Sequence, residues 1–143
     1  MEHPITDRWQ ACQAAALAAL DRWSPAAAGS VTAPVQALLA FQRSWEERVL
    51  FPRLARYFVG GGPVPVMTAE HRDLEARWAA LDLDDAAAVA AFRQSLRLHC
   101  RKEELSLQAI ARIRLSRRDF EHLQEEAGQL GLTLTEASDP ATK

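Results

Sequence analysis

Residues 89–113 read VAAFRQSLRLHCRKEELSLQAIARI, and the spacing of their apolar side chains predicts a long helix with one buried face. Steps of three and four residues select the inward stripe, which consists of Val89, Phe92, Leu96, His99, Glu103, Ser106, Ile110 and Ile113. His99 and Glu103 interrupt this mostly apolar stripe, and their spacing of four places both on one side of the helix. Because an unpaired carboxylate is costly to bury, such a residue is normally paired or bound to a metal.

Two other stretches add ionisable residues to the same predicted interior. The same spacing selects two stripes, Met67, His71, Leu74, Trp78 and Leu81 in one stretch and Val35, Leu38, Gln42, Glu46 and Val49 in the other. His71 and Glu46 therefore join His99 and Glu103 from two further helices. Imidazole with carboxylate is a usual ligand set for non-haem iron in helical bundles. Two plainer interpretations stay open at this point, a hydrogen-bonded core histidine and solvated pairs on a helix surface.

The helix pattern covers most of the chain, and strand patterns are almost absent. The start and stop signals predict five helices: Thr6 to about Trp23, Pro34 towards Tyr57 with a kink or early end near Phe51, Thr68 to near Leu83, Asp84 to about Leu115, and a short one from Ser116 that Gly131 stops. Short connections predict an all-α fold, an antiparallel up-down-up-down four-helix bundle with a short extra C-terminal helix. We expect the bundle to occupy residues 1–132 and a polar tail to occupy residues 133–143.

Composition excludes several functional classes. The chain has 143 residues and a net charge of −2, which gives no electrostatic footprint for nucleic acid or for a membrane surface. No apolar run approaches the roughly 20 residues that cross a bilayer. The N-terminus lacks the pattern of a secretory signal, so we expect a cytoplasmic protein in which Cys12 and Cys100 are buried thiols.

Three motifs together resemble the hemerythrin, or HHE cation-binding, family. Residues 41–52, FQRSWEERVLFP, are similar to the family's His-x-x-x-Glu-Glu followed by an apolar pair and proline. The pair Glu70-His71 resembles the start of its third helix, and His99-x-x-x-Glu103 resembles its second His-x-x-x-Glu motif. Residues 115–123 also resemble the helical tail of its bacterial members.

The resemblance implies a metal centre that is incomplete in this chain. Family members hold two iron ions bridged by carboxylates, which here implies Glu46 and Glu103 as bridges and His71 and His99 as the histidines of the second iron. The histidine expected in the second helix is replaced by Gln42, and the first helix contains no histidine. One iron has therefore lost both of its imidazoles.

Three interpretations follow from this half-complete set. The first, which we favour, is a single non-haem iron held by His71, His99, Glu46 and Glu103. The second is a metal-free bundle in which Arg8 or another cation neutralises the glutamates. The third is a two-metal site with Cys12, His3 or further carboxylates as substitute ligands.

The first interpretation implies binding or sensing of a small diatomic molecule such as O2 or NO, or iron handling, rather than catalysis. The second implies a regulatory module with a protein partner, for which the arginines after residue 111 offer a basic patch.

Overall fold

The computed structural model describes residues 3–134, and this part of the chain is helical and contains no strand. We number five helices: α1 (Pro4–Asp21), α2 (residues 32–54), α3 (Val64–Ala80), α4 (residues 86–114) and α5 (Arg117–Gln129). Short 3₁₀ segments at Pro25–Val31, Ala55–Tyr57 and Val59–Gly61 lie in the connections. No described helix is long and apolar enough to cross a membrane. The predicted tail, residues 133–143, falls almost entirely outside the described residues.

Two helices begin earlier than the sequence predicts, α1 after a histidine cap and α3 at a proline-containing first turn. α1 is capped by His3, whose Nδ1 accepts the N–H of Ile5 at 3.1 Å, so the predicted N-cap at Thr6 is wrong by three residues. α3 begins at Val64 rather than Thr68, because proline is compatible with a first helical turn. The Ser116 cap of α5 is confirmed, with Asp119 completing a capping box.

Two helices contain a wide, π-helical segment beside the ionisable residues. In α2, Gln42–Leu50 separates Thr32–Phe41 from Phe51–Leu54, and the N–H of Phe51 bonds the carbonyl of Glu46, five residues back. Of the two outcomes predicted near Phe51, a kink or an early end, the early end is wrong, because the helix continues past Pro52 to Leu54. In α4, Glu104–Gln108 separates Ala86–Glu103 from Ala109–Arg114.

The wide segment of α4 moves the inward face by one residue. The predicted stripe is confirmed as far as Glu103, because each of its residues from Val89 to Glu103 is buried. Beyond Glu103 the buried residues are Leu107, Gln108, Ala111 and Leu115, whereas Ile113 is 75% exposed. A π-helical turn takes up an extra residue, so a pattern drawn with the α-helical period selects the wrong side after it.

The four long helices enclose one core. α1 contacts α2 and α4, and α3 contacts α2 and α4, so each long helix has two neighbours. α5 packs against the Gln42–Leu50 segment of α2. The largest buried side chains include Trp9, Phe51, Leu96 and Phe120. The ionisable side chains of α2, α3 and α4 therefore lie inside an apolar shell.

Candidate metal centre

Four ionisable side chains from three helices meet in the core. Glu46 of α2, His71 of α3 and Glu103 of α4 are fully buried, and His99 of α4 is 2% exposed. His71, His99 and Glu103 each offer one ligand atom, and these three atoms all lie within 4.8 Å of one another. Glu46 Oε1 lies 3.3 Å from His71 Nε2. The structure thus brings together all four residues that the sequence selects.

Each histidine is oriented by a carboxylate on its outer nitrogen. His71 Nδ1 lies 2.7 Å from Glu47 Oε2, and His99 Nδ1 lies 2.9 Å from Glu70 Oε1. Because an ionised carboxylate only accepts hydrogen bonds, each Nδ1 carries the proton in these pairs. Both Nε2 atoms are then free to offer a lone pair to the interior, which is the arrangement typical of metal-bound histidine.

The inner nitrogens converge on one oxygen of Glu103. Glu103 Oε2 lies 3.2 Å from His71 Nε2 and 3.3 Å from His99 Nε2. Within residues 3–134, His99 Nε2 and both oxygens of Glu46 are buried and have no hydrogen-bond partner. Several acceptor atoms facing one another in a dry core repel unless a cation lies between them. The donor set therefore fits a metal ion of the kind that imidazole and carboxylate bind.

The chain is similar to one known protein family over most of its length. The family model of the hemerythrin HHE cation binding domain matches residues 9–111, which is well over half of the 143-residue chain. The chain belongs to the hemerythrin HHE family. Comparison with curated proteins and with solved structures gives no significant match. Membership makes this a hemerythrin-like domain of the cation-binding type, and the buried histidine and glutamate cluster is the place in it that could hold a metal.

The other oxygen of Glu103 faces a different environment, built by amides and an indole. Gln13 Nε2 of α1 donates to Glu103 Oε1 at 2.9 Å, and Trp9 Nε1 donates to the same oxygen at 3.4 Å. Gln108 Nε2 in turn donates to Gln13 Oε1 at 2.8 Å. Gln42, where the hemerythrin pattern has a histidine, is fully buried on α2. The side of the centre that lacks histidine is therefore lined by neutral side chains.

The two buried carboxyls of this hemerythrin-like domain have opposite acidities. Burial raises the pKa of Glu46 well above its usual value, and the neighbouring charge of Glu103 raises it further. Burial also opposes ionisation of Glu103, but contacts with the Glu46 carboxyl and with the imidazoles of His71 and His99 outweigh it and lower the pKa of Glu103. The pKa values of the two buried carboxyls are thus shifted in opposite directions.

The imidazole of His71 also responds to these carboxylates. Burial alone would lower the pKa of His71, but the hydrogen bonds and charges of Glu103 and Glu47 raise it. For Glu70, burial would raise the pKa, whereas hydrogen bonds from Lys102 and His99 outweigh burial and lower it. The centre is thus strongly attractive to positive charge, which a bound cation would also supply.

The sequence does not predict every residue of the centre, and His3, a substitute ligand in the two-metal interpretation, lies elsewhere. Glu47 and Glu70 were visible beside the motifs, yet only the structure pairs them with histidine. Gln108 lies on the inward face only because of the wide segment of α4. His3 is not in the cluster, because it caps α1 and its ring stacks on Phe120 with 4.4 Å between centroids.

Proposed function

We propose that this domain binds one divalent metal ion, iron, through His71, His99, Glu103 and Glu46. The observation that carries the proposal is the convergence of two histidine lone pairs on Glu103 Oε2, beside the unpartnered carboxyl of Glu46. Nitrogen and oxygen donors from three helices, each fixed by packing or by an outer hydrogen bond, form a pre-organised site. Imidazole with carboxylate suits iron better than the hard cations magnesium and calcium.

The surroundings of Glu103 support one ion rather than two. A carboxylate that bridges two metals uses one oxygen for each, but here Oε1 receives N–H groups from Gln13 and Trp9. An N–H donor repels a cation, so these two donors occupy Oε1 and oppose binding of a second metal ion there. Charge leads to the same conclusion, because two carboxylates balance one divalent ion, and Gln13, Gln42 and Gln108 bring no charge for a second.

The same contacts support the finer architecture that we propose, an antiparallel up-down-up-down four-helix bundle. Between α3 and α4, Glu70 pairs with Lys102. Arg77, further along α3, donates a hydrogen bond to Ser95, which comes before Lys102 on α4. Between α1 and α4, Gln13 bonds Gln108, while Asp21 pairs with Arg97. In each pair of helices, the contacts move to lower residue numbers on one helix as they move to higher residue numbers on the other, which is the pattern of antiparallel neighbours.

We assign to the domain the binding of a small diatomic molecule, O2 or NO, for sensing or for iron handling in the cytoplasm. Bound iron would supply an exchangeable position for such a ligand. The chain's own part is to hold His71 and His99 through their Nδ1 hydrogen bonds and to keep bulk water out with Phe51, a nearly fully buried side chain whose ring stacks on that of His71. Two buried free thiols agree with a reducing compartment.

Metal affinity in ligand variants tests this function. We expect His99→Ala and the shape-preserving Glu46→Gln to weaken ferrous binding by more than about 100-fold, the upper end of losing an outer partner. His122→Ala, which removes an exposed histidine of α5, serves as the matched control and should leave affinity unchanged. The iron-loaded protein should then bind one nitric oxide per chain, measured by EPR. Equal affinity in all variants would refute the site, and absent binding in the parent would favour a metal-free interaction module.

A further inference from the structure

The two histidines of the proposed site are held in place with very different firmness. Glu47, the partner of His71, accepts from Arg72, and Arg72 Nη1 also donates to both oxygens of Glu75 at 2.7 and 2.9 Å. Arg43 adds two more hydrogen bonds to Glu75, both 2.8 Å long. His71 is therefore secured by a network of four charged side chains.

His99 depends on a shorter chain of contacts. Its partner Glu70 accepts one hydrogen bond from Lys102 Nζ at 2.7 Å, and the Lys102 side chain is 55% exposed. A lysine ammonium is a point charge on a flexible stem, whereas the planar arginine fork fixes two bonds at once. An exposed ion pair adds little stability. Of the two histidines, His99 thus has the partner that is more easily released.

A surface cleft of about 200 Å³ adjoins this weaker side. Glu70 and Asp73 of α3 and Ser95, Leu98 and Lys102 of α4 line it, and His99 forms part of its wall. The cleft offers space for the Glu70 carboxylate to rotate into when its ion pair with Lys102 breaks. Its two carboxylates also favour the approach of a cation from solvent.

We propose that metal ions reach the centre through this cleft between α3 and α4, and that His99 is the ligand that moves aside while His71 stays fixed. This access route rests on the proposed metal site. The Lys102–Glu70 ion pair closes the route, and its release frees the carboxylate that holds His99 Nδ1. The imidazole then turns towards the cleft, and its Nε2 is the first ligand that an entering ion meets.

The test compares rates of uptake and release rather than affinity. Co²⁺, which has a visible spectrum, serves as the probe in stopped-flow uptake, and a chelator drives its release. Lys102→Ala is expected to raise both rates about fivefold, corresponding to about 1 kcal/mol for an exposed pair. The dissociation constant should stay within about twofold, because a barrier common to entrance and exit cancels in the equilibrium. Ser95→Trp, which fills the cleft, should slow both rates.

Two matched controls separate the route from charge and from general loosening. Arg101→Ala removes one positive charge next to Lys102, from a side chain that is 63% exposed and paired with Glu104. Arg43→Ala removes the outer member of the His71 network, whose side chain is 57% exposed, close to that of Lys102. Both variants are expected to show the rates of the parent. Circular dichroism melts of every variant verify that the fold is intact.

The possible outcomes separate the route from the site. If Arg101→Ala accelerates uptake as Lys102→Ala does, the cause is charge, and if Arg43→Ala does so, access has no preferred side. Unchanged rates in Ser95→Trp would likewise overturn the route, while the metal site would stand. A parent protein that takes up no Co²⁺ would instead refute the site and the route together.

Discussion

Replacing Gln13 by Met tests the capping of Glu103 Oε1, on which the single-metal proposal depends. The substitution keeps the length and helix preference of the side chain but removes its amide. It breaks the 2.9 Å bond to an ionised carboxylate and the 2.8 Å bond from Gln108, and it leaves both partners buried. A hydrogen bond to a charged group contributes roughly 1.5–3 kcal/mol and a neutral one roughly 0.5–1.5, so we expect a loss of about 3 kcal/mol in the free energy of unfolding.

The assay for Gln13→Met is thermal and urea unfolding of the metal-free protein in a chelating buffer. For a chain of this length the entropy of unfolding is about 0.3 kcal/mol/K, so the melting temperature should fall by about 10 °C. Gln10→Met, on an exposed position one turn earlier in α1, should change stability by less than about 0.5 kcal/mol. If the two variants melt together, Gln13 does not hold Glu103 Oε1, and the reasoning against a second ion fails.

Three further predictions concern parts of the fold away from the metal centre. Asp119→Ala should lower the free energy of unfolding by about 1 kcal/mol at pH 7 in urea, because the N–H of Ser116 holds the pKa of Asp119 low. A lowered folded-state pKa adds stability only while the group is ionised, so the difference from wild type should shrink below about pH 4. A difference that does not depend on pH would contradict this explanation. Gly62→Ala should lower the free energy of unfolding by about 2 kcal/mol in thermal melts, because Gly62 has φ +55° and a Cβ would lie 2.4 Å from Phe58 Cγ. Gly128→Ala, in open space on α5, should be neutral or stabilising, and equal effects of the two substitutions would refute this prediction. Both thiols should resist a thiol reagent at pH 8 until the chain unfolds, because burial raises the pKa of Cys12 to about 11 and also raises the pKa of Cys100; rapid labelling of the native protein would show that either thiol is accessible.

The parts of the centre that sequence could predict are those written in a regular helical period. The spacing of three and four residues selects His71 on α3, Glu46 on α2, and His99 with Glu103 on α4, and each is buried. The replacement of an expected histidine by Gln42 also predicts an unequal centre. The four buried residues need only that apolar residues mark the inward face, whereas the inference from Gln42 also needs the resemblance to the hemerythrin pattern.

The remaining features depend on events that the apolar period does not record. The π-helical segment after Glu103 turns Gln108 inward, and an α-helical pattern selects Ser106 instead. The bond between Gln13 and Gln108 joins residues 95 positions apart, so it exists only once α1 packs on α4. The helix start at Pro4 depends on the imidazole of His3 acting as a cap, a role that Ser, Thr, Asp and Asn usually fill.

The number of metal ions per chain tests the central claim most directly. Tag-free protein is incubated anaerobically with excess ferrous iron, desalted, and analysed for iron, zinc and manganese against the chain concentration. The account predicts one ion per chain, with the two carboxylates neutralised and the amide-lined side empty of metal. Two ions per chain would show that the Gln13 and Trp9 donors do not exclude a second metal, and a value near zero would refute metal binding at His71 and His99 altogether.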